Sequence, residues 1–65
     1  MIKAKNRVAV FDIFFEEVKG FVYPDEEIEI DTLYDDYVCI YFTYQGNRIL
    51  GYIRYEQLKN GFIGG

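Results

Sequence analysis

The sequence predicts an all-β domain: a small, partly open barrel of five strands with one short helical turn before the last strand. Three observations lead there. Residues 27–33 alternate, with Ile28 and Ile30 on one face and Glu27, Glu29 and Asp31 on the other, the period of two that a half-buried strand requires. Residues 37–44 and 48–54 are rich in β-branched and aromatic side chains and are joined by Gln45-Gly46-Asn47, where Gly46 can take the positive φ of a tight hairpin. No stretch combines the length and the 3.6-residue period of a stable helix. Residues 14–19 are the one helical rival, and they are too short to stand alone.

Taken in order, residues 1–6 read as a flexible arm. Residues 8–15 are β-branched and aromatic, a first strand. Residues 16–20 break it, and Phe21-Val22-Tyr23 resumes briefly before Pro24-Asp25-Glu26, a turn in which Pro supplies its fixed φ. The alternating strand 27–33 follows, then a turn at Tyr34-Asp35-Asp36. In residues 37–44, Val38, Ile40 and Phe42 form the core row. Tyr37, Cys39 and Tyr41 form the other face, where tyrosine hydroxyls stay wet. On the returning strand Gly51 marks a sharp bend or a close backbone approach. Residues 55–59 make one tight helical turn, and Asn60-Gly61 leads into a last brief strand, 62–63. The chain reads as one domain over 1–65, with the arm at 1–6, the barrel at 7–63 and a tail at 64–65.

Composition bounds the chemistry. The chain has 65 residues, 51% hydrophobic and 20% aromatic, with a net charge of −4, which is too apolar for disorder. A core of this size contributes only ~3–5 kcal/mol without a staple. Cys39 is the one cysteine and there is no histidine, so neither an internal disulfide nor the usual zinc set is available. Large rings take over that role, with Tyr23 and Tyr52 assigned to complete the core. Lys3, Lys5 and Arg7 precede an apolar run, but Asp12 interrupts it, Glu16 and Glu17 end it, and no small-residue cleavage site follows, unlike a secretory signal. No run reaches the ~18 apolar residues of a membrane span. A cytoplasmic protein with no membrane partner is expected. Seven basic residues scattered among eleven acidic ones argue against DNA, which needs a Lys/Arg stripe to displace phosphate counterions. Abundant Asn, Ile, Lys, Phe and Tyr match the usage of AT-rich genomes, including many phages and low-GC bacteria.

Four strings carry a resemblance to a known family. Ala9-Val10-Phe11-Asp12-Ile13 resembles the opening Ala-Leu-Tyr-Asp-Tyr string of Src-homology-3 domains. Phe21-Val22-Tyr23 with Pro24-Asp25-Glu26 and Ile28/Ile30 resembles their diverging turn. Asp36-Tyr37-Val38 sits where the family has a tryptophan pair, and Gly51-Tyr52-Ile53 resembles its Gly-aromatic-aliphatic string. The correspondence spans about residues 8–63 and includes the related bacterial barrels. It implies an aromatic groove for proline-rich helices, formed here by Phe11, Ile13, Tyr37, Arg54 and Gln57. Most of the family's groove aromatics are replaced: the second opening tyrosine by Ile13, the tryptophan by Tyr37, the proline by Arg54 and the late tyrosine by Gln57. The acidic loop persists as Glu16 and Glu17, which would attract a basic flank. The fold carries over better than the ligand.

No catalytic set is legible. Without His or Ser, Ser-His and Cys-His nucleophiles are impossible, and Cys39 reads as a packed, inert thiol. The carboxylates fall into Glu16/Glu17, Asp25/Glu26/Glu27 and Asp35/Asp36. They serve either as solvated loops and edge protection or as an acidic rim for a cationic partner, and none has calcium-loop spacing. Tyr37, Tyr41 and Tyr55 either cap the barrel or form a flat aromatic patch of the kind found in interfaces. The expected function is a non-enzymatic interaction module without cofactor or metal, such as a small bacterial or phage accessory protein or inhibitor. Its protein-binding residues are Phe11, Glu16, Glu17, Tyr37, Tyr41, Arg54 and Tyr55. Its partner is another protein, with a basic or proline-containing segment, or a second copy. A second reading is a nucleotide or small-ligand site in which tyrosines stack and Arg48 and Arg54 hold one phosphate. A third is a ubiquitin-like carrier, for which Gly64-Gly65 is the cue and the lack of a long helix the objection.

Overall fold

The computed structural model describes residues 2–64. Seven strands lie in it: β1 (Ile2–Ala4), β2 (Val8–Phe11), β3 (Val18–Val22), β4 (Glu27–Leu33), β5 (Tyr37–Tyr44), β6 (Asn47–Arg54) and, after the helix α1 (Tyr55–Gly61), β7 (Phe62–Gly64). All pairings are antiparallel and join one sheet in the order β3-β2-β6-β5-β4-β1-β7. The edge strands β3 and β7 do not pair with each other, so the sheet is open. The all-β expectation holds.

The sheet curls around its own inner face. Val10, Val38, Ile40, Phe42 and Ile53 are completely buried there, joined by Ala4, Val8, Val22, Ile28 and Phe62. The row Val38, Ile40 and Phe42 is the one the alternation of β5 assigns to the core. Curling requires close approaches. At Gly51 on β6 an added Cβ would collide with the Val10 side chain and lie 3.2 Å from the Phe42 ring, so the strand can cross the core only without a side chain. Across the fold the Tyr44 ring lies directly against Gly20 of β3, 2.7 Å from where a Cβ would sit. Register shifts at Val10/Phe11 and at Ile30/Thr32 add further bend, as bulges do. The burial of β4 still alternates along its whole length, and Leu33 at its end is 58% exposed.

The hairpin between β5 and β6 has a two-residue loop, because Tyr44 pairs with Asn47. Gln45 (φ 52°) and Gly46 (φ 80°) both lie in the left-handed region, the type I′ geometry that matches strand twist. At Tyr23-Pro24-Asp25-Glu26, Pro24 precedes Asp25 at φ 71° and the Glu26 amide donates to the Tyr23 carbonyl at 3.0 Å, as in a type II turn.

Several expectations need correction. Seven strands replace five. The arm at 1–6 contains β1, because the Ala4 amide donates to the Glu26 carbonyl at 2.9 Å, the Asp25 amide donates to the Ala4 carbonyl at 2.9 Å and the Lys5 amide donates to the Gly61 carbonyl at 2.8 Å. The three residues Ile2-Lys3-Ala4 carry no periodic signal, and only tertiary pairing makes them a strand. The first strand ends at Phe11 rather than at residue 15, and β3 begins at Val18, inside the expected break. The single turn at 55–59 is a seven-residue helix whose first amide, on Tyr55, donates to the Asp36 carbonyl at 3.0 Å. In the expected tail, Gly64 ends β7, and Gly65 lies outside the described residues. The helix follows six strands, unlike the strand-strand-helix opening of a carrier. Tyr23 is 46% exposed, since its strand stops before it and Pro24 turns the chain away from the core.

Candidate binding surface

The outer face of the sheet carries the aromatic residues that the inner face excludes. Across the strands Phe11 pairs with Tyr52, Tyr52 with Cys39 and Cys39 with Thr32; one row along, Arg54 pairs with Tyr37. Directly paired residues share a face. Tyr37 and Tyr52 therefore meet, with ring centroids 5.9 Å apart. Tyr52 belongs to this face and not to the core, because Gly51 and Ile53 on either side of it point inward.

Two loops complete a shelf. In residues 12–17 the Asp12 carboxylate accepts from the amides of Phe14 (3.1 Å) and Glu16 (2.9 Å). The Asp12 carbonyl accepts from Phe15, and the Asp12 amide donates to the Glu17 carbonyl, both at 3.0 Å. These bonds hold Phe15 at φ 57°, a conformation that a bulky residue adopts only where its surroundings enforce it. Phe15 then rests on Phe11 (5.7 Å) and meets Tyr37 edge-on (6.1 Å, 81°). In the turn before β5 the Tyr34 amide donates to the Tyr37 carbonyl at 2.9 Å, and the two rings stack at 4.5 Å and 17°. Five rings thus run in contact: Phe11, Phe15, Tyr37, Tyr34 and Tyr52. Phe15, Tyr37 and Tyr52 are half-buried, and Tyr34 is 44% exposed. The Arg54 guanidinium lies over Phe15, 3.9 Å from the ring centre, well within cation–π range.

Carboxylates border the shelf. Glu16 and Glu17 sit in the first loop, while Asp35, Asp36 and Glu56 share a surface depression with Arg54 and Tyr55. Among the described residues the one ion pair is Arg48–Glu29, so Arg54 stands among acids yet is bonded to none. Beneath the rings Cys39 is 3% exposed. Burial pushes its thiol pKa up, opposed by the neighbouring Tyr52 hydroxyl, and the same thiol–phenol interaction is the main cause raising the Tyr52 phenol. Both groups stay neutral at pH 7. Among the described residues no three His, Cys, Asp or Glu side chains gather as a metal set, and no helix is long and apolar enough to cross a membrane.

Of the residues singled out from sequence, Phe11, Tyr37 and Arg54 come together on the shelf, and Glu16, Glu17 and Tyr55 lie at its borders. Tyr41 does not join it. Four residues along β5 from Tyr37, it lies ~13 Å away at strand rise, with Arg48 over its ring at 5.7 Å. Ile13 is 52% exposed on the loop and Gln57 is exposed on α1, packed toward Gly61, so neither contributes a groove wall. Arg48 and Arg54 are six residues apart on one strand, ~20 Å at strand rise, too far to clasp one phosphate. Sequence reasoning missed Phe15, Tyr34 and Tyr52. The signal for Phe15 was Asp12 ahead of a loop, a residue type that bonds amides two to four positions on.

No protein-family model, curated protein or solved structure matches this chain. The surface is interpretable only from its own geometry.

Proposed function

We propose that the chain is a non-catalytic protein-interaction module of Src-homology-3-like barrel architecture that engages another protein through the five-ring shelf. The reading of a barrel draws support from the element order: a hairpin with a long loop (β2 and β3), a three-strand meander (β4 to β6), then a helix before the last short strand. It also draws support from two of the four strings that carry the resemblance, since Phe11 of the first and Tyr52 of the last are directly paired.

The single observation that carries the interaction role is a contiguous ring surface left half-open on the outer face, bordered by acids and lacking a nucleophile–base pair. Aromatic surface of this kind is enriched where proteins bind one another. The family's proline groove is reduced here, because Arg54 lies where it would have a proline and covers Phe15. A basic segment of the partner fits the border better than a purely proline-rich one. The nucleotide reading has weaker support: Arg48 is neutralised by Glu29, and the ~20 Å between the arginines leaves no phosphate clamp.

The test is site-specific photocrosslinking in the native host from position 34, within the shelf, where a benzoylphenylalanine keeps an aromatic ring, and from position 63, on β7. The module reading expects one discrete adduct from position 34, weakened by Tyr37→Ala, and none from position 63. Equal adducts from both positions, or none from position 34, would remove it. A thermal-shift series with nucleotides tests the rival, since a ligand at 100 times its Kd adds ~2.7 kcal/mol.

A further inference from the structure

The environment of Arg54 is unusual for an arginine in an acidic neighbourhood. Asp35, Asp36 and Glu56 line the same depression, yet no carboxylate lies within ion-pair distance of its guanidinium among the described residues. Instead the guanidinium lies over the Phe15 ring, 3.9 Å from its centre. Phe15 in turn is perpendicular to Tyr37 at 81°, so the rings present both a floor and a wall. A weakly hydrated, planar cation suits such a floor better than a compact ammonium does. The flanking acids stay unneutralised, and the shelf attracts more positive charge than Arg54 supplies.

We propose that the shelf is a site for soft organic cations, filled in the free protein by the chain's own Arg54, and that binding exchanges Arg54 for a cationic side chain of the partner. This rests on the shelf being the binding surface and adds what occupies it beforehand. The incoming group is a guanidinium or a methylated ammonium, selected by the same ring floor. Once displaced, Arg54 is free to swing toward Asp35, Asp36 or Glu56, so its charge is not stranded. Exchange also makes Arg54 a built-in competitor. Apparent affinity is the intrinsic affinity reduced by the fraction of molecules in which the floor is uncovered, so removing the competitor tightens binding.

The experiment uses the full chain with labelled aromatic rings, titrated with ethylguanidinium chloride, with tetramethylammonium chloride and with sodium chloride at matched ionic strength. The expected result is a saturable shift confined to the Phe15, Tyr37 and Tyr34 rings with an organic cation. The apparent affinity should be about two- to five-fold tighter in Arg54→Ala, the range that an exposed cation–π contact corresponds to. Arg54→Gln, which keeps most of the length without the charge, should behave alike and covers the case in which Arg54→Ala fails to fold. Preference for ethylguanidinium assigns a partner arginine, and preference for tetramethylammonium assigns a methylated ammonium. Shifts no larger than those with sodium chloride, or equal affinities in parent and variants, would overturn the exchange. A crosslink from position 34 without any cation effect refutes the exchange alone, whereas a cation effect without a crosslink refutes the module.

Discussion

Arg48 and Arg54 occupy the same outward face of β6, six residues apart, and they do different things. Arg48 is paired with Glu29 across the sheet and lies over Tyr41 at 5.7 Å; its charge is answered and its ring is single. Arg54 has no carboxylate partner among the described residues, lies over Phe15 at 3.9 Å, and belongs to a run of five rings with three acids nearby. One end of the outer face is electrostatically finished, and the other is held in a contact that an outside cation can imitate. Composition alone does not separate them, since each pairs an arginine with an aromatic ring. The neighbours brought by the two loops do.

The largest perturbation strikes both ends together. Phe42→Ala removes the largest completely buried side chain and should cost ~3–5 kcal/mol, comparable to the whole stability of a domain this small. Loss of the cooperative transition in urea would register it. Next, Tyr37→Ala should destabilise by ~1–2 kcal/mol, as it cuts ring contacts to Phe15, Tyr34 and Tyr52 at once. Tyr41→Ala should cost clearly less, and equal midpoints for the two variants would erase the contrast between the ends.

Alkaline titration probes the layer beneath the shelf. The Cys39 and Tyr52 pKa values are both raised in the fold, so the native state keeps protons that the unfolded chain releases first. Stability from these groups is fully present at neutral pH and is lost as pH rises above the unfolded thiol value, ~8.5, and through the folded ones. Denaturant midpoints should be flat from pH 6 to 8 and fall beyond, and the fall should shrink in Cys39→Ala. A fall already complete below pH 8 would contradict a buried neutral thiol.

Smaller still is the difference in salt response. Glu29→Gln should cost ~0.2–1 kcal/mol at low ionic strength and little at high salt. Destabilisation by Arg54→Gln should depend less on salt, because its contact is with a ring. Last, Gln45→Asn should stabilise by a few tenths of a kcal/mol, about 0.5, because Asn accepts the left-handed geometry recorded at φ 52° more readily. An unchanged melting temperature would show that the turn carries no strain.

Much of the fold was legible from local pattern. The period of two in β4 and β5 put Ile28, Val38, Ile40 and Phe42 inside, and Gly46 marked the hairpin. Gly51 announced a close approach, met by Val10 and Phe42. What stayed hidden was non-local. β1 is three residues long and exists because Glu26 and Gly61 offer its backbone partners. β3 lacks alternation because Lys19 and Gly20 fall mid-strand, and Tyr44 packs over the glycine.

The candidate surface divides in the same way. Sequence by itself determined that this chain has a surplus of rings, no histidine or serine for nucleophilic chemistry, and carboxylates concentrated in turns; those are properties of residue types and their order. Only the tertiary structure decided which rings meet. Phe15 arrives through a loop tied to Asp12, Tyr34 through a turn closed on Tyr37, and Tyr41 is left behind although it shares their strand face. Contact between residues far apart in sequence depends on loop closure and register, which no local period encodes.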